Sequence, residues 1–229
     1  MAQKQANTVA AKSARRQKSR QPIQIHEFKI TLHDSKPPIW RRVAVPSDIR
    51  LSKLHLVIQV VMGWSNYHLH QFVVRNPRPR LKKGESNAMV RSGQRDKLAM
   101  YMRRDRYLSD PQFELEEAED ESKVKLNELA PLVKSKLIYE YDFGDNWSHT
   151  IEVVKIGPPA EGVKYPICIS GELACPPEDC GGIWGFYDML EAVEDPSHEL
   201  HKEFTEWLPR GFNPERFDLK KVNFVLSKL

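Results

Sequence analysis

Apolar and polar residues alternate over residues 28–32. Phe28, Ile30 and Leu32 fall on one side and Lys29 and Thr31 on the other, the pattern of a strand with one buried face. Asp34-Ser35-Lys36-Pro37-Pro38 breaks the chain, and a second strand is expected over residues 39–45, closed by Pro46. Arg41 and Arg42 must point to opposite faces of that strand, one solvated and the other paired. The period then lengthens. Leu54, Ile58, Val61 and Met62 recur at helical spacing, with Ser52 as N-cap, Leu51 stapling onto Leu56, and Gly63 as the stop. Residues 67–74 read as a third strand, so the order is β-β-α-β, with one helix across a sheet.

From Asn76 to Asp120 the pattern weakens. Pro77 and Pro79 open an excursion, and residues 96–108 read as a short basic helix bearing Met100, Tyr101, Tyr107 and Leu108. Seven acids between Asp110 and Glu121 follow, able to pair with the basic half. Residues 137–141 and 151–156 read as a hairpin turned by residues 142–147, where Asp, Gly and Asn suit left-handed or side-chain-bonded conformations. Residues 165–185 read as a rigid loop carrying the chain into three helical segments. The first covers residues 183–194, with Ile183, Tyr187, Leu190 and Val193 inward. The second has Ser197 as N-cap and Leu200, Phe204, Trp207 and Leu208 inward. The last has Asp218 as N-cap and Phe217 stapling onto Val222. The expected fold class is α+β, a small, mostly antiparallel sheet covered by helices, with a C-terminal helical segment. One domain is expected over residues 22–229, with a basic and acidic insert at 76–122 and a disordered tail over 1–21.

Charge changes the picture more than composition does. At 229 residues, 40% hydrophobic and 29% charged, the chain has the makeup of a soluble protein able to bury a core. It shows no apolar run of membrane-spanning length and no secretory signal, and its three cysteines suit a reducing cytoplasm. Residues 1–20 carry +6 and residues 75–106 carry +8; since the whole chain is +4, the remainder sums to −10. An acidic body with two basic segments suits contact with a polyanion, nucleic acid being the commonest. Arg15, Arg16, Lys18 and Arg20 of the tail and Arg103, Arg104 and Arg106 of the insert are the candidate contacts. The plain alternative is a solubilising tail and a solvated loop.

Three groups of residues carry candidate chemistry. Asp142-Phe143-Gly144 resembles a kinase triplet, but the chain has neither a Gly-rich phosphate loop nor a catalytic loop of that class. Cys175 and Cys180, with His149, His70 or Cys168, form a candidate zinc set; otherwise Cys168 is a small core residue and the other two brace a turn. His70, Asp142, Asp145, His149, Glu178 and Asp179 are the pool for acid–base or metal-assisted chemistry. His68 and His70, two apart on a strand, would share one face. Against that pool, Asp142 and Asp145 serve as turn formers, and Glu178 and Asp179 start a helical turn after Pro176-Pro177. His198 and His201 fall on a solvated helix face.

Several ordered motifs accompany these residues: K-P-P-I-W-R-R (36–42), L-H-x-V-I-Q-x-x-M-G-W (54–64), H-L-H-Q-F (68–72), Y-D-F-G-D-N-W-x-H (141–149) and A-C-P-P-E-D-C-G-G (174–182). D-P-x-H-E (195–199), W-L (207–208) and F-x-P-E-x-F-D (212–218) follow. Together they resemble the plasmid pRiA4b ORF-3-like family over residues 23–228, some members of which are labelled as passenger or resolvase-like proteins of mobile elements. The resemblance implies a single α+β domain and no established activity, and nothing here resembles a recombinase serine site with a helix-turn-helix. The basic tail and the insert depart from the family pattern. The expectation is a non-enzymatic binding module that contacts nucleic acid through those two segments, or another protein, without a membrane. The alternative is a metal-dependent enzyme or a metal-stabilised interaction domain, with zinc as the metal.

Overall fold

A computed structural model describes residues 22–75 and 105–229. The expectations for residues 1–21, for residues 96–104, and for Arg15, Arg16, Lys18, Arg20, Arg103 and Arg104 therefore lie outside the described residues. One eight-stranded sheet organises the described residues, in the order β5-β4-β3-β6-β7-β1-β2-β8. Its central strands are β1 (Ile25–Leu32), β2 (Trp40–Pro46), β6 (Lys136–Tyr141) and β7 (Trp147–Gly157). β3 (His70–Val74), β4 (Arg106–Ser109) and β5 (Ala118–Asp120) extend one side, and β8 (Ile167–Glu172) closes the other. Every neighbouring pair is antiparallel except β4 with β5. The fold class is α+β as expected, but β4, β5 and β8 make the sheet larger than the five strands read from the pattern.

Strand alternation builds the core. Phe28 and Ile30 of β1, Val43 and Val45 of β2, Tyr139 of β6 and Ile151 of β7 are buried on one face. Helix α1 (Leu51–Met62) lies in that core, burying Leu51, Leu54, Val57, Ile58 and Val61. It is apolar nearly all round because the last helix, α5 (Leu219–Leu226), also packs on it. Between them in sequence come the short α2 (Leu126–Leu129), α3 (Gly182–Glu194) and α4 (His201–Trp207).

Tertiary pairing overrides three local expectations. Arg50, not Ser52, stands at the N-cap of α1, and no side chain caps it. The Leu51 amide instead donates to the Val124 carbonyl at 3.0 Å, and Arg50 bridges Lys125 in antiparallel fashion. Ser197 folds back on Asp195, and α4 starts only at His201. Arg106, expected at the end of a basic helix, lies on β4 and pairs with Glu119 of β5 through two 2.7 Å bonds. That pairing joins the basic and acidic halves of the insert. The expected stops hold elsewhere: Gly63 closes α1 with φ 92°, and the Asp218 carboxylate caps α5 by accepting from the Lys221 amide.

The residues read as a loop before α3 begin with edge strand β8, whose outer side is closed by a side chain. The Asn223 amide of α5 accepts from the Cys168 N–H and donates to the Cys168 carbonyl, each at 2.8 Å, as a neighbouring strand would. Asn223→Ala strands both groups and is expected to cost about 1–3 kcal/mol. Asn223→Asp, which cannot donate, should recover little of it. Urea unfolding of the two variants measures this.

Arg41 and Arg42 do face opposite sides. Arg42 is the half-exposed one and pairs with Glu27 at 2.6 Å. Arg41 is buried and has no carboxylate partner among the described residues. Its guanidinium donates to the carbonyls of Val61, Trp40 and Glu172, all at 2.8 Å, and lies 4.0 Å from the centre of the Phe217 ring. Gly171 is part of this packing: a Cβ there would sit 2.7 Å from Phe217 and 2.8 Å from Arg41.

Candidate functional site

Three stretches without regular structure meet at one end of β3, β6 and β7. They are residues 65–69 after α1, the turn after Tyr141, and residues 176–179. Trp64 starts the assembly. It is buried, donates from its indole to the Pro176 carbonyl at 3.0 Å, and stacks on Tyr141 at 4.9 Å. The chain that follows is held by side chains and loop backbone. The Ser65 amide donates to Glu178 Oε2 at 2.9 Å, the Asn66 amide to Gln59 at 3.0 Å, and the Tyr67 amide to the Tyr141 hydroxyl at 3.1 Å. The Leu69 carbonyl accepts from the Asp142 amide at 2.8 Å. The Tyr141 hydroxyl in turn donates to Glu178 Oε1. Burial, then the neighbouring Glu178, push the Tyr141 phenol up, so it stays a donor.

These ties converge His68, Asp142 and Asp179. Asp142 has φ 56°, and its Oδ1 accepts from the Gly144 and Asp145 amides at 2.9 and 3.3 Å, which leaves Oδ2 turned toward His68. His68 Nε2 is 3.7 Å from Asp142 Oδ2 and 3.3 Å from Asp179 Oδ1. It is sheltered from solvent and lacks a hydrogen-bond partner. The three ligand atoms lie within 4.8 Å of one another, the one such set of His, Cys, Asp or Glu among the described residues. Asp142 is buried, His68 is partly covered, and Asp179 is 72% exposed. One imidazole and two carboxylates form a mixed nitrogen and oxygen donor set of the kind borderline divalent ions take.

The other predicted residues fall elsewhere. His68 precedes β3 and His70 is its first residue, so the two do not share a site. His70 is buried, stacks on His55 at 3.5 Å with planes 3° apart, and lies 3.0 Å from the buried Glu121 carboxylate. His55 reaches Tyr139 at 2.8 Å and Asn66 at 2.6 Å, and Gln59 donates to the same Tyr139 hydroxyl. Burial, then the neighbouring His70, pull His55 down to about 3. This network is interior architecture that also fixes Asn66 beside the site. His149 is fully buried, edge-on to Trp64 at 5.3 Å, and burial pulls it down to about 3.

Cys175, Cys180 and His149 are not gathered into a ligand set. Burial pushes all three thiols up, Cys168 to about 11 and Cys180 to about 12, so they remain protonated core groups. Asp145 turns the hairpin against α3, where a Cβ on Gly182 would come within 2.6 Å of the Asp145 carbonyl. Glu178 and Asp179 do not begin a helical turn: Asp179 has φ 60°, and Glu178 braces residues 65–67. His68 was visible in the sequence only as the neighbour of His70. The signal for it was the H-L-H-Q-F motif together with the two turns that supply its acidic partners.

Each of the three ligand atoms comes from a different motif: His68 from H-L-H-Q-F, Asp142 from Y-D-F-G-D-N-W-x-H and Asp179 from A-C-P-P-E-D-C-G-G. Residues 24–221 match the plasmid pRiA4b ORF-3-like protein family. The chain belongs to that family. A relative within reach is the uncharacterized protein y4hQ of Sinorhizobium fredii (strain NBRC 101917 / NGR234), 35% identical over 180 residues, which cover 79% of this chain and 78% of the relative. The crystal structure of a protein of unknown function, MM3350 from Methanosarcina mazei Go1, is also similar. It matches with a TM-score of 0.70 and 34% identity, covering 87% of this chain and 98% of that one. Among the described residues of this pRiA4b ORF-3-like protein, no helix is long and apolar enough to cross a membrane.

Proposed function

We propose that this pRiA4b ORF-3-like protein is a binding module for a divalent transition-metal ion, held by His68, Asp142 and Asp179. The observation that carries the reading is the convergence of these three ligand atoms within 4.8 Å, with His68 Nε2 sheltered and unbonded between two carboxylates. The supporting shell is already in place. Asp142 Oδ1 is engaged by two amides, and Glu178 is engaged by Ser65 and Tyr141, so Glu178 orients the loop rather than ligating. Three protein ligands leave coordination positions for water or for a donor atom of a bound partner. Zinc, manganese and nickel are the ions to try first, and the protein is read as cytoplasmic and associated with mobile elements.

An ion that binds only the folded state stabilises it by about 2.7 kcal/mol at 100 times its dissociation constant. Thermal unfolding with and without Zn²⁺ or Mn²⁺ should show that stabilisation. It should be lost in His68→Ala and Asp179→Asn and kept in a Cys175→Ser/Cys180→Ser variant. Loss only in the cysteine variant would return the ion to the thiols and overturn the reading.

The second reading is nucleic-acid contact through the basic tail and insert. It is favoured by the +6 of residues 1–20 and the +8 of residues 75–106 against an acidic remainder. Arg106 supports it least, since both its bonds go to Glu119.

A further inference from the structure

The sheet face turned away from α1 holds an open cleft of about 880 Å³. Val73, Ile138 and Thr150 form part of its floor, the residues that alternate with core-facing Phe72, Tyr139 and Ile151. Among the described residues, four cations line it, Arg75, Arg106, Lys134 and Lys136, against one carboxylate, Glu128. Arg106 is bound to Glu119, and Lys136 to Glu152 at 2.9 Å. Arg75 and Lys134 are exposed and have no carboxylate partner among the described residues. The backbone holds Lys134 in place, with φ 71° and its N–H donating a hydrogen bond to the Val153 carbonyl at 2.7 Å.

We propose that this cleft takes the phosphate backbone of a single-stranded nucleic acid, with Arg75 and Lys134 as its principal contacts. The inference rests on the second reading above and is independent of the ion site. Charge complementarity supports it: Arg75 and Arg106, both on the cleft wall, bound a stretch of sequence carrying +8. The concave shape favours one extended strand, because a stiff duplex meets a cleft of this size only at its rim. Among the described residues, no aromatic side chain apart from the His33 ring lines the cleft, so they give bases little to stack on. Binding through phosphates is sequence-tolerant and strongly salt-dependent.

Fluorescence anisotropy of the full chain with a short labelled oligothymidylate at low salt tests this. Arg75→Gln/Lys134→Gln should weaken binding about ten-fold or more and make the log–log salt dependence shallower by about 1.4, at about 0.7 per phosphate contact on a single strand. Arg15→Gln/Arg16→Gln in the tail should weaken binding but leave the effect of the cleft variant intact. Both substituted cleft residues are exposed, and circular dichroism checks that the variant folds. Three results would overturn the proposal: unchanged binding in the cleft variant, a duplex that competes as well as single strand, or no binding at low salt. Chelator should change none of these outcomes, which separates them from failure of the ion site.

Discussion

Arg41→Ala lowers the free energy of unfolding by about 3–5 kcal/mol, the largest single-residue loss expected away from the apolar core. The guanidinium satisfies carbonyls from three parts of the fold, α1 through Val61, its own strand through Trp40, and edge strand β8 through Glu172. Each carbonyl left buried without a donor costs about 1–3 kcal/mol, only part of which water entering the space recovers. The Phe217 ring loses its partner at the same time, so the C-terminal segment loosens with the edge strand. Arg41→Lys should fall between the two. An ammonium keeps the charge but cannot span three acceptors in one plane or stack on the ring as a guanidinium does. Guanidinium-chloride unfolding reads the difference, and a loss below about 1 kcal/mol for Arg41→Ala would show that these bonds are dispensable.

Acid should destabilise the protein well above the carboxylate range. His55 and His149 are buried and neutral in the fold, each pulled down to about 3, whereas in the unfolded chain each takes a proton near pH 6.5. Because the folded values are depressed, the stability they contribute is complete above about pH 6.5. It is lost as pH falls toward 3. The slope approaches about 1.4 kcal/mol per pH unit for each group, so by pH 4.5 the two together cost about 5 kcal/mol. A charged His55 would stack 3.5 Å from the ring of His70, which itself faces Glu121, while a charged His149 would lie among Trp64, Tyr139, His33 and Arg41. His26, lowered by burial despite its bond to the Ala130 carbonyl, acts in the same direction. Chemical unfolding from pH 7.5 to 4.5 reads the slope, and a flat profile would mean that both imidazoles take up protons in the fold as readily as in the unfolded chain.

Local pattern carried most of the sheet and little of what stabilises it. β1, β2, α1, the hairpin of β6 and β7, α3 and α5 were legible because each has a period and a stop of its own: alternation at Phe28, Ile30 and Leu32, Gly63 for α1, the Asp142 turn for the hairpin. β8 was not legible. Its six residues include Ser170 and Gly171, its partner β2 lies more than a hundred residues earlier, and its outer edge is satisfied by Asn223. Ser52 has the chemistry of a cap, yet the pairing of Arg50 with Lys125 fixes the helix start two residues sooner.

The site divides in the same way. Asp142 and Asp179 stood among the predicted acids, although each also had a plain structural role, Asp142 in the hairpin turn and Asp179 after Pro176-Pro177. His68 is not distinguishable from His70 in the sequence, since strand alternation alone cannot show that the strand begins at His70. Glu121 looked like one more charge in an acidic run, and only the fold reveals that it is the buried member facing His70. The thiols had suggestive spacing, but spacing does not show that Cys175 and Cys180 would be packed as protonated groups away from a third ligand.

Isothermal titration of the purified, chelator-treated protein with Zn²⁺ and with Mn²⁺ tests the central claim most directly. One ion per chain should bind, with binding abolished by His68→Ala and by Asp142→Asn and unaffected by Cys175→Ser/Cys180→Ser. No heat with either ion, or binding that survives the loss of His68, would contradict it.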